Sequence, residues 1–441
     1  MSREQSVNIR AMSRHRAEQV GYYRFLENPK VSVSELVKSA ANHCQQQVMG
    51  RHVLAISDSS EINLQRHVQH LKTEGLGVVG NNRDVGFFIH PTLVADADSG
   101  FPLGLSTVQV WHRERERLDK HQRQYPRLPI EEKESYKWLL AAERSQPALV
   151  AGGGECVTYV GDREGDIYEA WVRVPDAHTH LLVRACRDRR LQNHATMLYE
   201  TLSQQPCQGT YAVEVMADPR TGRGGREAWM AVRFTPVTIC RPQKVSAQDY
   251  PETVSLYAVE AKEGTPPDGE EPIHWRLLTT HPVNTLEQAL QVIQWYRWRW
   301  RIEQLFAVLK RVGLDLESTR LESVKAIERL SILALMAALR ILQLKEGRED
   351  ATLAAAITFS ELQQQCLQQL APKLQGRTQK QQNSFASGSL PWATWLIARL
   401  GGWAGYRSQS PPGIRTLSQG LRKFEAIFEG WLLAQDRFMC T

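Results

Sequence analysis

Cysteine is scarce: the 441-residue chain has seven, and no two stand in a C-x-x-C pair. Cys44, Cys156, Cys186, Cys207, Cys240, Cys366 and Cys440 are scattered and odd in number. That pattern argues against a disulfide framework and a thiolate zinc site, and for a reducing cytoplasm. No apolar stretch approaches the roughly 20 residues a membrane-spanning helix needs. The longest, 332–339, is about eight residues and reads as a buried core helix. The N-terminus carries charge without an apolar core segment, so it is not a secretory signal. Gly152, Gly153 and Gly154 are not followed by Lys-Ser or Lys-Thr, which excludes a phosphate-cradling loop and any nucleotide cofactor it would imply. His178 and His180 would share a strand face, yet no third ligand follows at a matching spacing. A soluble cytoplasmic protein without a membrane partner is the expectation.

What is present is a hydrophobic fraction of 42%, enough for two or three domains around a sizeable core. The net charge of +6 suits nucleic-acid binding without demonstrating it. Local excess says more. Arg3, Arg10, Arg14 and Arg16 face a single Glu4 near the start, and 362–385 holds Lys373, Arg377 and Lys380 with no acid.

Short helices are expected through residue 50, with a turn at Asn28-Pro29 and a helix over 33–48. Strands follow at 52–56, 87–95 and 103–111, the last two joined by the Asp96-Ala97-Asp98-Ser99-Gly100 turn. A helix over 130–145, a strand at 157–160, a helix at 166–172 and a strand at 180–183 complete a mixed α/β layer. Residues 186–279 read as an all-β insertion. From 280 the chain is helical, interrupted by a Gln-rich linker around 363–383 and a turn at Ser410-Pro411-Pro412-Gly413.

The stretch 286–312 carries the most chemistry. Projected as one helix at about 100° per residue, Tyr296, Arg299, Glu303 and Lys310 share a stripe roughly 60° wide. Leu305, Val308, Leu309 and Val312 fall on the opposite side. A carboxylate in a row of cations suits phosphates and carboxylate-bound metal ions. Two further acids, Asp58 and Asp162, each end an apolar strand, where acids of an α/β sheet meet in a crevice. Three converging carboxylates repel unless cations lie between them. An oxygen-only donor set selects Mg²⁺ or Mn²⁺, and two such ions can drive in-line phosphoryl transfer.

Tyr296-x2-Arg299-x3-Glu303-x6-Lys310 resembles the YREK signature of bacterial DDE transposases of the insertion-sequence-four class. Gly161-Asp162-Arg163-Glu164-Gly165-Asp166-Ile167 resembles the motif of that group's second catalytic Asp, pointing to Asp162 rather than Asp166. Ala55-Ile56-Ser57-Asp58 resembles the first, with Ser57 where an acid is common. The similarity runs from Tyr22-Tyr23-Arg24-Phe25 to Leu400-Gly401-Gly402 and Pro411-Pro412-Gly413.

The resemblance implies a ribonuclease-H-like mixed sheet with an all-β insertion, flanked by helical regions. These would be a DNA-contacting segment at 1–50, a catalytic domain at 51–345 interrupted at about 186–279, and a dimerisation region at 346–441. It implies Asp58, Asp162 and Glu303 as catalytic, metal-binding carboxylates holding two Mg²⁺, with Mn²⁺ as substitute. Tyr296, Arg299, Lys310, Arg184 and Trp275 would contact double-stranded DNA, Arg184 at the hairpin region and Trp275 against a flipped base. It further implies cut-and-paste transposition by a nucleoid-associated homodimer in a synaptic complex, with helices at 390–400 and 417–433 joining the subunits. Relatives usually carry a few dozen more N-terminal residues for end recognition. The competing expectation is therefore a shortened, non-productive inhibitor of a full-length transposase.

Overall fold

The computed structural model describes residues 7–439 other than 14, 73, 116–124, 126–127, 193–194, 218–223, 313 and 407–408. Arg3, Glu4, Arg14, Cys440 and the side chain of Val312 lie outside the described residues.

Val53, Leu54, Ala55 and Ile56 are apolar without alternation, the pattern of a strand covered on both faces, and all four are fully buried. They form β1 (His52–Ser57), followed by the short β2 (Ser60–Asn63) and β3 (Gly77–Val78) and the long β4 (Val85–Asp96) and β5 (Pro102–Trp111). Next come β6 (Cys156–Gly161), β7 (Thr179–Arg184), β8 (Gly209–Val215), β9 (Arg226–Cys240), β10 (Thr253–Glu263) and β11 (His274–Thr279). One 11-stranded sheet unites them in the order β2-β4-β1-β6-β7-β11-β10-β9-β8, with β3 and β5 also on β4. Strand β4 is buried over its whole length and pairs antiparallel with β1, β2 and β5.

Two parallel pairings set the position of the acids. β1 lies parallel to β6 in the register His52↔Cys156 to Ile56↔Val160, and β6 lies parallel to β7. Asp58 and Asp162 each follow two residues after that last matched pair, so the register delivers them side by side at one end of the sheet. Beyond β7 the sheet continues antiparallel through β11, β10, β9 and β8. The segment expected to be all-β also contains a helix, Leu198–Gln204.

The N-terminal helices are α1 (Ile9–Met12), α2 (Arg16–Glu27) and α3 (Val33–Gln45); α3 packs on β5. Between β5 and β8 lie α4 (Lys137–Ala151), α5 (Tyr168–Arg173) and α6 (Leu198–Gln204). After β11 come α7 (Leu286–Trp298), α8 (Trp300–Ala307), α9 (Val324–Glu346), α10 (Glu361–Leu374), α11 (Leu390–Leu400) and α12 (Ile414–Met439). As expected, 332–339 lies in a buried helix, α9, whose apolar residues run almost all round. Among the described residues no helix is long and apolar enough to cross a membrane.

Three expectations fail for physical reasons. The stretch 286–312 is not one regular helix: it is interrupted at Arg299, and Val308–Val312 forms a π-helical turn. The Gln-rich segment is not a linker over its first half. Ser360 and Gln363 close a capping box that starts α10, and Cys366 and Leu367 anchor it in the core. Helix α11 is no candidate for joining subunits, because Leu390 to Ala398 are all buried within this chain. Helix α12, by contrast, keeps Ile427 and Leu433 exposed.

The β4–β5 turn fixes where α7 ends. Asp96 accepts hydrogen bonds from Asp98 N and Ser99 N, and Gly100 has φ +68° with the Trp298 ring against it. A Cβ there would lie 2.5 Å from the indole. Gly100→Ala combines left-handed strain with this clash and should cost about 1–3 kcal/mol, measured as a lower urea midpoint by circular dichroism.

Candidate active site

Each acid is held by its own local device. Asp58 follows β1 and accepts from Ser59 N at 2.7 Å through Oδ1, leaving Oδ2 for a partner. Asp162 caps the tight turn Arg163–Gly165, its Oδ1 accepting from Glu164 N at 2.8 Å. Glu303 projects from the first turn of α8. A single guanidinium joins two of the three: Arg299 Nη1 lies 2.9 Å from Asp58 Oδ2, and Nη2 lies 2.8 Å from Glu303 Oε1.

Proximity shows in the electrostatics. Burial, then the charge of Asp162, push the Asp58 carboxyl up to about 6, against the pull of Arg299. Burial raises Asp162 as well, with Arg299 and Lys137 opposing. Carboxylates shifted upward in a common crevice are short of positive charge, and their donor set is oxygen alone. The site therefore fits hard divalent cations.

Around the acids the structure gathers three of the other expected residues. Tyr296 is nearly buried, its ring edge-on to Trp275 at 5.9 Å and Arg299 at 5.8 Å from its centroid. Burial raises the Tyr296 phenol, while Arg299 and Arg184 pull it down. Arg184 ends β7 and donates from Nη2 to His274 O at 2.9 Å, which ties it to the strand carrying Trp275. Lys310 stands outside the row that a regular helix would give. Its Nζ donates to Glu61 O at 2.8 Å and pairs with Glu317 at 3.0 Å. The π-helical turn Val308–Val312 changes the helical phase between Glu303 and Lys310.

Sequence reasoning missed Lys137 and His90. Lys137 begins α4, with a side chain only 10% exposed, pairs with Glu164 at 3.0 Å, and sits 5.5 Å from the Trp111 ring centroid. His90 is fully buried on β4, its Nδ1 3.0 Å from Ser59 Oγ. Burial, then Lys137, hold its pKa down to about 3. Neither has a local sequence signal, because strand pairing and the α4 packing bring them to the acids. Next to Asp162 opens a 370 Å³ cavity lined by the cations Lys133, Arg163, Arg187 and Lys244 and by the acids Glu164, Asp166 and Glu169 among others.

Asp166, the other acid of the Gly161–Ile167 motif, has a different task. Arg189 forms a short ion pair with it, Trp171 Nε1 and Cys186 N also donate to it, and its side chain is wholly enclosed. Removing one member of a buried pair strands the other's charge. Asp166→Ala should therefore cost about 3–5 kcal/mol in denaturant unfolding. Asp162→Asn should cost nothing, since it relieves like-charge crowding.

Residues 89–340, more than half of the 441-residue chain, match the family described as the Transposase DDE domain. The matched span contains Asp162 and Glu303 and begins after Asp58. This chain belongs to the transposase DDE domain family: it is a DDE transposase, an enzyme that acts on DNA.

Proposed function

We propose that this transposase is of the YREK-bearing insertion-sequence-four class and performs cut-and-paste transposition with Asp58, Asp162 and Glu303 as its catalytic carboxylates. The observation that carries the reading is the meeting of these acids at the parallel ends of β1 and β6, with Arg299 linking Asp58 to Glu303. The strand order β5-β4-β1-β6-β7, three antiparallel strands followed by two parallel additions, supports a ribonuclease-H-like core. The antiparallel β8–β11 extension supports an insertion within a catalytic domain at 51–345. A DNA-contacting segment at 1–50 and a dimerisation region at 346–441 complete the proposed division, with α12 as the joining element of a synaptic homodimer.

Asp58, Asp162 and Glu303 would hold two divalent cations, Mg²⁺ or Mn²⁺, which when bound supply activation of a water or 3′-hydroxyl and stabilisation of the leaving oxygen. The protein's own groups bind and orient the DNA. Arg299 offers a planar fork that suits a phosphate as well as it suits two carboxylates. The half-buried Trp275 provides a face for a base turned out of the duplex, and the edge of Tyr296 fixes that ring from behind. Arg184 positions the strand beside it during hairpin formation. The cations of the cavity beside Asp162 extend the phosphate path. Lys310 reaches DNA after releasing Glu317. In this sequence of events the transposon end is nicked, its freed 3′-hydroxyl forms a hairpin, and the reopened end joins target DNA.

The decisive test is cleavage of DNA carrying the inverted repeats that flank the gene, followed on denaturing gels in Mg²⁺ and Mn²⁺. Nicks that progress to hairpins and joined products are expected. Asp58→Asn, Asp162→Asn and Glu303→Gln should each abolish cleavage, keep DNA binding within about threefold, and lose the rise in melting temperature that Mn²⁺ gives the parent protein. Cleavage retained by any of them removes that residue from the set. Binding by the parent without cleavage in either metal would favour the inhibitor reading. Lys310→Ala should weaken binding and flatten the slope of log K against log salt by about one, read by fluorescence anisotropy.

A further inference from the structure

The far end of the sheet carries a second cluster of chemically active side chains. His52 opens β1 and Cys156 opens β6, as register partners. Thr158 lies two residues on and shares the face of Cys156. His281 follows β11 and folds back over them. Its Nε2 lies 2.6 Å from Thr158 Oγ1, and His52 Nε2 lies 2.8 Å from the same oxygen. One ligand atom from each of His52, Cys156 and His281 falls within 4.8 Å of the others. The Trp295 ring covers both imidazoles at 4.8 Å, and His180 stacks on His281 at 3.8 Å.

We propose that His52, Cys156 and His281 form a binding site for a borderline-soft divalent ion of the Zn²⁺ class, with a water as fourth ligand. Two imidazoles and a thiolate are donors that Zn²⁺ and Co²⁺ take in preference to Mg²⁺ and Mn²⁺. The hydroxyl of Thr158 marks where the two imidazole nitrogens already converge. A tetrahedral ion with bonds of about 2.0–2.3 Å sets its ligands roughly 3.3–3.8 Å apart, so imidazole rotation and a small contraction complete the set. Burial is the main cause that holds His52 down to about 4 and His281 down to about 3, with histidine neighbours adding repulsion. Binding would release the Cys156 thiol proton to solvent. All three residues are only partly buried, leaving an ion a way in.

The site is separate from the three carboxylates. Six residues of extended chain divide His52 from Asp58, about 20 Å along the strand. Its ligands come from the starts of two strands and the connection into α7, so a bound ion would pin that connection to the sheet. The task is structural, and the inference does not depend on the catalytic reading.

The full-length protein, stripped with chelator, is titrated with Co²⁺ and then with Zn²⁺. One equivalent of Co²⁺ should give a thiolate charge-transfer band that Zn²⁺ abolishes, and the Asp58→Asn/Glu303→Gln variant should behave identically. Cys156→Ser should lose the band and weaken Zn²⁺ retention by at least about tenfold. On the unaltered protein, Zn²⁺ should slow alkylation of Cys156 while leaving the exposed Cys186 and Cys207 unprotected, resolved by peptide mass spectrometry. Absence of the band, its survival in Cys156→Ser, or no protection of Cys156 would overturn the proposal and leave the cluster as packing alone.

Discussion

Carboxylates in a half-buried crevice repel one another, and the Arg299 guanidinium is the group that lets two of them share this one. It lies between Asp58 and Glu303 at hydrogen-bonding distance from both, and it links the end of the first long strand to the helix 241 residues later. Everything else in the region is arranged about that contact. The parallel register of β1 and β6 brings in Asp162, Tyr296 lines the other side of the guanidinium, and Arg184 and Trp275 come with the neighbouring strands. Lys137 adds a second cation next to Asp162. The opposition is nevertheless incomplete, since Asp58 and Asp162 both remain shifted upward. Burial is the main cause of both shifts, and it favours any cation that could neutralise the pair.

The acids were legible because each breaks an apolar run abruptly: Ile56-Ser57-Asp58 and Val160-Gly161-Asp162 announce strand ends that a sheet must place somewhere. Glu303 and Arg299 were legible because three and four residues make one helical turn, and the interruption at Arg299 does not separate neighbours so close. Lys310 lies seven residues past Glu303, far enough for the π-helical turn to change its direction. The burial of Tyr296 was hidden because its partner Trp275 belongs to another strand. Helix α10 was obscured by its glutamines, although Ser360 and Gln363 held the signal of its start. The His52, Cys156 and His281 cluster has no pairwise spacing at all, since its ligands come from separate elements. Sites assembled by strand register are legible only where each residue leaves a local mark, as the acids do and these three do not.

The two ends of β1 and β6 thus differ in chemistry. One end offers oxygen donors beside guanidinium groups, the other imidazoles and a thiol beneath an indole. Helix α7 touches both regimes: Trp295 covers the histidines, while Tyr296 and the adjoining Arg299 reach the acids. A shift of α7 is therefore felt at both ends of the sheet, and the Gly100 turn against Trp298 restrains that shift.

The dispersal of the acids along the chain also has a meaning in time. A ribosome adding roughly 5–20 residues per second completes Glu303 about 12–50 s after Asp58. Helix α8 and the Arg299 contact cannot form before then, so a half-made chain has strand ends but no assembled crevice. The crevice therefore assembles late in synthesis, a consequence of topology alone, because its last acid is translated 245 residues after its first.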